Sequence, residues 1–466
     1  MTKMKTNHSR SLPLAVALVL AISPAVVHAD DSAALADLMK EVKALREEVT
    51  ALKAAQATPA TPTTPATNPA ASPGAPAPAN DSSDTSSLLG ADFMKVKGLT
   101  IGFYGESKYR VPEAGADVFD AHRYVLTPSY QINDWLVFNS EFELEHGGVD
   151  ESTARGSRFN GELELEQMYV DILISDYFNI RSLGIDLVPV GRINQIHEPT
   201  TFYSTERPEL YREIIPTTWM EPSMSVFGKI TDTLDYRVMV SAGLEDYIAS
   251  APTAAGVTAV NGLRNARPRM RQADESRLAV SGKLHFNGVE GLDASTSFYH
   301  SQLDGFNQQD VTMTLWDIEA QYRVPGTGLE LRGDFAMWFI NDAQNLIANN
   351  TGTATDDVGE RMYGWYAEAA YHFWPEAWRD GKGKEMDFVP FVRYSSIVTQ
   401  SEMLPGSAKL NNGTANRDFL TVGAAYFLNP NFVIKADYRM NLDDTAATAT
   451  SAASQDYVQL GVGMAF

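Results

Sequence analysis

"LWDIEAQYRV", residues Leu315–Val324, alternates strictly from Trp316 onward. On an extended chain Trp316, Ile318, Ala320, Tyr322 and Val324 share one face, and Asp317, Glu319, Gln321 and Arg323 share the other. A tight Pro325-Gly326-Thr327-Gly328 stretch follows, then a second alternating run over 328–341. The pattern recurs along the chain. Leu278, Val280, Leu284 and Phe286 oppose Arg277, Ser281, Lys283 and His285, while Ile434, Ala436 and Tyr438 oppose Lys435, Asp437 and Arg439. Sixteen such segments run from 99–110 to 456–466. Many reach about 11–14 residues, long for a soluble strand and enough to cross a bilayer at a tilt.

Alternation alone does not say whether the apolar face points into a core or out to lipid. The connections decide. Asn133-Asp134, Asp232-Thr233, residues 287–290, residues 325–328 and Asn429-Pro430 are short, and the connections between them are long, as over 194–222 and 247–274. Short and long links alternating around an even number of antiparallel strands describe a membrane barrel with its short turns towards the periplasm. WPEAWRDGKGK (374–384) is a long link where a short one is due. The expected fold is therefore all-β: a 16-stranded antiparallel transmembrane β-barrel over 93–466, wide enough for an aqueous lumen. The last segment, YVQLGVGMAF, places Val458, Leu460, Val462, Met464 and Phe466 on one face, the pattern of a closing strand that carries an outer-membrane assembly signal.

Three zones precede the barrel. Residues 1–29 combine Lys3, Lys5 and Arg10, the apolar run LPLAVALVLAI and a small-residue end, Val27-His28-Ala29, as an export signal does. Over 30–56, Leu35, Leu38, Val42, Leu45, Val49 and Leu52 make a heptad seam flanked by Glu41, Arg46, Glu48 and Lys53, a short coiled-coil helix suited to parallel oligomerisation. Val at two a positions with Leu at d favours a dimer by itself. Residues 57–92 form a Pro/Ala/Ser-rich linker, an extended spacer. No Cys is present, so disulfides and thiolate chemistry are excluded.

The third long connection, NQIHEPTTFYSTERPELYREIIPTTWMEPS (Asn194–Ser223), holds four prolines, no glycine, and Phe202, Tyr203, Tyr211 and Trp219. That composition specifies a fixed shape, not a disordered segment. Folded into a lumen, it would present Glu198, Glu206, Arg207, Glu209, Arg212 and Glu213 to channel water, with Arg192 at its root. These seven are the expected constriction. Lys108, Arg110, Arg123, Arg393, Arg417, Lys435 and Arg439 form one basic arc once the barrel closes, expected across the channel from the loop, while Glu141, Glu143, Glu145, Glu162, Glu164 and Glu166 lie on strands three and four.

The run "HEP…F…ERP…YREIIPTTWMEPSMSVFG" after a strand ending in GRI resembles the phosphate-selective porin O/P family. The resemblance implies a trimer of sixteen-stranded outer-membrane channels that pass small hydrophilic solutes or ions, often anions such as phosphate. The chain departs from a phosphate trap in one respect: this loop has five Glu, two Arg and no Lys. The expected function is passive diffusion through a water-filled pore. The alternative is a structural anchor that ties the outer membrane to the cell wall through the coil and linker.

Enzymatic chemistry is not expected. His300 and Ser301 are neighbours on a strand and point to opposite faces. No HxxxH-type spacing or phosphate-cradling Gly-rich loop occurs, so no cofactor or metal is expected. A formal net charge of −22 disfavours nucleic acid.

Overall fold

The structure, a computed structural model, describes residues 98–113, 115–147, 161–247, 253–268, 277–351, 357–407, 415–443 and 456–466. The export signal, the heptad seam and the Pro/Ala-rich linker lie outside the described residues. From Leu99 onward the chain forms β1 (Leu99–Pro112), β2 (Val118–Asn133), β3 (Leu136–Gly147), β4 (Glu162–Leu173), β5 (Asn179–Leu187), β6 (Met220–Thr231), β7 (Leu234–Ala242) and β8 (Leu278–Phe286). It continues with β9 (Leu292–Asp304), β10 (Asp310–Arg323), β11 (Leu329–Asn341), β12 (Arg361–Tyr371), β13 (Asp387–Ser401), β14 (Asn416–Asn429), β15 (Phe432–Asn441) and β16 (Tyr457–Ala465). Each strand pairs antiparallel with its sequence neighbours, and β16 returns to β1 to close the barrel. Closure leaves no edge strand in the sheet among the described residues.

The pleat sorts side chains as the alternation dictates. Trp316, Ile318, Leu278, Val280, Ile434 and Tyr438 point outward and are exposed, whereas Asp317, Glu319, Lys435, Asp437 and Arg439 point inward and are buried. An apolar outside over a polar inside is the inverse of a soluble sandwich and suits a lipid surround. Val458, Leu460, Val462 and Met464 share the outer face of β16. Phe466 follows them and is joined to Phe103 by backbone hydrogen bonds in both directions and by ring stacking at 5.9 Å.

The two ends of the barrel differ as expected. Links such as 134–135, 232–233 and 430–431 are tight at one end, and the long connections gather at the other. The 372–386 link is long because it folds into two 3-10 turns, Glu376–Trp378 and Gly381–Glu385, with the Trp374 indole donating to the Gly383 carbonyl at 2.9 Å.

The interior is not simply an aqueous lumen, and here the structure corrects the sequence reading. Part of the bore is filled by an apolar core of Val188, Leu210, Ile214, Trp219, Tyr299 and Trp338, among others. Trp219 packs on Tyr299 with ring centroids 4.6 Å apart, and Tyr299 lies 5.7 Å from Trp338. Among the described residues, three of the long loops contribute buried side chains to this core. From 243–277 come Val257, Leu263 and Ala266; from 342–360 come Leu346 and Val358. Asp246 pins them together by accepting from the backbone N–H groups of Gly256 and Val257 at 3.0 Å and Ile347 at 2.8 Å. Burial, partly offset by these donors, raises the Asp246 carboxyl's pKa.

Candidate functional site

The β5–β6 loop (188–219) folds inward and spans the bore. It carries two short helical turns, Arg192–Gln195 and Leu210–Glu213. Four residues cannot sustain a helix unaided; here burial of Ile193, Leu210, Tyr211, Ile214 and Ile215 holds the shape. Gly191, at φ 69° before the first turn, sits against Tyr211, and a Cβ there would come within 2.6 Å of that ring. Towards β10–β12 the Trp338 indole donates to the Ile214 carbonyl at 2.8 Å, and Arg332 donates to the Thr201 carbonyl at 2.9 Å. The Tyr203 hydroxyl donates to Glu330 at 3.0 Å and that of Tyr211 to Asp334.

The same loop binds the other wall. Lys435 donates to the Ser204 carbonyl at 2.9 Å and stands over the Phe202 ring at 3.7 Å. The Thr205 N–H donates to Asp437 at 2.6 Å, and Arg393 donates to the Ser204 hydroxyl at 2.5 Å. Gly461 and Gly463 on β16 make room for the loop: a Cβ on Gly463 would stand 2.6 Å from Cβ of Pro199. The loop therefore lies against the basic arc, not across the channel from it.

Ion pairs complete the contact. Glu206 meets Lys108 at 3.1 Å and Arg110 at 2.6 Å. Glu209 lies 3.8 Å from Arg393 and 3.9 Å from Arg439, and Glu213 lies 3.3 Å from Arg417. Burial works against the charged form of Glu206, but Lys108 and Arg110 outweigh it and hold its pKa well below the carboxylate range. Glu209 and Glu213 are 8% and 5% exposed, so they are held in wall contacts and not in open channel water as expected. Arg212 is about half exposed, and Arg207 donates to the Thr218 hydroxyl at 3.1 Å. Burial, reinforced by Arg123, lowers the Arg207 pKa. Arg192 and Glu198 sit elsewhere on the loop. Arg192 donates to Gln321 at 2.7 Å, and burial raises the Glu198 pKa.

Between the loop and the outer halves of β1, β2 and β14–β16 lies a cavity of about 360 Å³. Lys108, Arg110, Glu206, Arg212, Arg417 and Arg439 line it; in all, seven cationic and six anionic side chains do so. Wall and loop together thus bring the cavity's charges close to balance. A gap of about 10 Å³ lies elsewhere along the loop, against Arg192, Glu319 and Arg332.

Sequence spacing missed two clusters because each gathers residues from separate segments of the chain. Asp120, His122 and His146 meet at the cavity's rim, each His Nδ1 3.0 Å from the Asp120 carboxylate. Glu141, Glu166 and His197 meet in the interior, beside the Tyr104 hydroxyl.

No protein-family model matches the chain. An uncharacterized protein of Aquifex aeolicus (strain VF5) is 29% identical over 360 residues, covering 73% of this chain and 75% of the relative. Salmonella typhi OmpF, solved in complex with daunomycin, superposes with a TM-score of 0.51 at 14% identity, over 79% of this chain and 97% of that one. The outer membrane channel DcaP of Acinetobacter baumannii gives 0.46 at 13% identity, over 79% and 97%. The anion-selective porin from Comamonas acidovorans gives 0.46 at 12% identity, over 79% and 99%. The class defined by the fold is a closed sixteen-stranded barrel, and its likeness to OmpF is a likeness of architecture.

Proposed function

We propose that the chain is an outer-membrane porin that lets small hydrophilic solutes and ions diffuse through a bore narrowed by its β5–β6 loop. The observation that carries this reading is the loop itself. It crosses the interior, is bonded to both walls, and leaves a charged cavity of about 360 Å³ on its long-loop side. In this reading Glu206, Arg207, Glu209, Arg212 and Glu213 form the constriction with the arc of Lys108, Arg110, Arg393, Arg417, Lys435 and Arg439. Arg123, Arg192 and Glu198 position the loop's root.

Selectivity follows from charge balance. Seven cations against six anions leave little net field in the cavity, so the pore discriminates weakly between anions and cations and is not a phosphate trap. The phosphate-selective porin resemblance supports the channel class and the trimer, in which the coil over 30–56 joins three chains and 57–92 spaces it from the barrel. The outer face of β16 serves insertion into the membrane.

Purified protein in planar bilayers tests the reading. The expected result is stable ohmic steps with a small reversal potential in a salt gradient, and a larger conductance when the β5–β6 loop is shortened. A correctly assembled barrel without conductance overturns the channel reading and leaves the anchor reading, for which loss of envelope integrity on deleting 30–80 is the readout.

A further inference from the structure

The interior cluster has more acceptors than protons. The Tyr104 hydroxyl lies 2.5 Å from a Glu141 oxygen and 2.8 Å from Nε2 of His197. His197 Nδ1 is 3.2 Å from the Asn194 carbonyl, which can only accept, so Nδ1 carries the proton and Nε2 presents a bare lone pair. One phenolic proton cannot serve both Glu141 and Nε2.

Glu166 adds an independent observation. It is 1% exposed, and neither of its carboxylate oxygens has a hydrogen-bond partner. Its neighbour Glu143, also buried, is another acceptor and can pair with it only by sharing a proton. An unpartnered buried carboxylate is costly. The backbone is built to place it there: the β3–β4 register slips between Glu141↔Gln167 and Phe142↔Leu165, leaving Glu166 as the extra residue of a β-bulge. Bulges re-aim side chains, often beside functional sites. Here Glu166 joins Gln167, which donates to Glu141, on the inner face.

We propose that Glu141, Glu166 and His197 bind a divalent cation of the Mn²⁺–Zn²⁺ class, which ties the root of the inward loop to the wall between β3 and β4. Their ligand atoms lie within 4.8 Å of one another, and a tetrahedral cation with bonds of about 2.1 Å would draw them together to roughly 3.4 Å by side-chain rotation. Two carboxylates with one imidazole suit that class, since carboxylate favours Mn²⁺ and imidazole favours Zn²⁺. The Nδ1–H contact to the Asn194 carbonyl is the outer bond that fixes a ligating imidazole's tautomer. Arg123 does not neutralise the cluster by itself, because it is engaged by Glu106 at 2.8 Å and by the His197 carbonyl at 2.6 Å.

The test is Mn²⁺ binding to the detergent-purified full chain after EDTA treatment and buffer exchange, read by loss of the free-ion electron spin resonance signal. The readout does not depend on conduction, so it can fail while the channel reading stands, and the reverse. The expected result is tight binding that survives Asp120→Asn and weakens at least about tenfold in Glu166→Gln. His197→Gln, which alters the loop and not a strand, gives the same loss if the bulge variant fails to fold. Bound Mn²⁺ should also slow trypsin cleavage after Arg212 in the wild type but not in either variant. Absence of binding overturns the proposal, as does binding abolished by Asp120→Asn and untouched in both other variants.

Discussion

Arg417→Met isolates the loop's hold on the wall. Arg417 is 4% exposed and Glu213 5%, and they face each other at 3.3 Å. Removing one partner of a buried pair costs about 3–5 kcal/mol, because the remaining charge stays buried. The lower end applies here for two reasons. The contact is an ion pair without hydrogen-bond geometry at Arg417 Nη2, and Glu213 keeps the half-exposed Arg212 at 3.6 Å. A loss of about 3 kcal/mol raises the population of displaced loop roughly 150-fold. Trypsin reports that population, since cleavage after Arg212 needs the surrounding turn to leave the wall, and the rate follows the open fraction when reclosing is fast. The expected outcome is cleavage about two orders of magnitude faster in Arg417→Met. In Arg417→Met combined with Glu213→Gln, where no charge is stranded, the rate should return to within about tenfold of wild type. An unchanged rate in the single variant, with the barrel intact by its heat-modifiable migration, refutes the anchoring role. A double variant as labile as the single one shows that packing, not charge, was lost.

Trp219→Ala removes the centre of the apolar core beside Tyr299 and Trp338 and should cost about 3–5 kcal/mol in loop docking, seen as higher channel noise and faster proteolysis. Acid should release the Glu206 tether. Its folded pKa is depressed below the ordinary 4.5, so the stabilisation is present above that value and fades as pH falls through and below it. Conductance fluctuations should therefore begin to rise as pH falls below about 4.5, keep rising towards the depressed folded value, and lose that dependence in Glu206→Gln. Ile318→Arg on the outer face should cost about 2–4 kcal/mol if that face meets lipid near the bilayer midplane. Refolding yield into liposomes measures it, and an unaffected yield would count against the lipid-facing assignment.

The strand ladder was legible in the sequence because a period of two is a local property. Trp316/Asp317 and Ile434/Lys435 name their faces without reference to any other strand, and the tight links at 232–233 and 430–431 set the alternation of ends. The identity of the inward loop was also legible, since a glycine-free run with four prolines and buried-type aromatics has few other uses. Its position was not. Whether Glu209 faces water or Arg393 depends on where residues 184 positions apart along the chain come to rest, and no local pattern encodes that. The apolar filling of the bore left a faint trace in Ala336–Ile340, where both faces of β11 are apolar and alternation lapses. The Glu141–Glu166–His197 cluster left none: a bulge in β4, the β3–β4 register and the loop's fold each had to be fixed before three acceptors could converge on one point. Local periodicity determined the wall of this protein; only the packing of loops across the closed barrel decided what stands inside it.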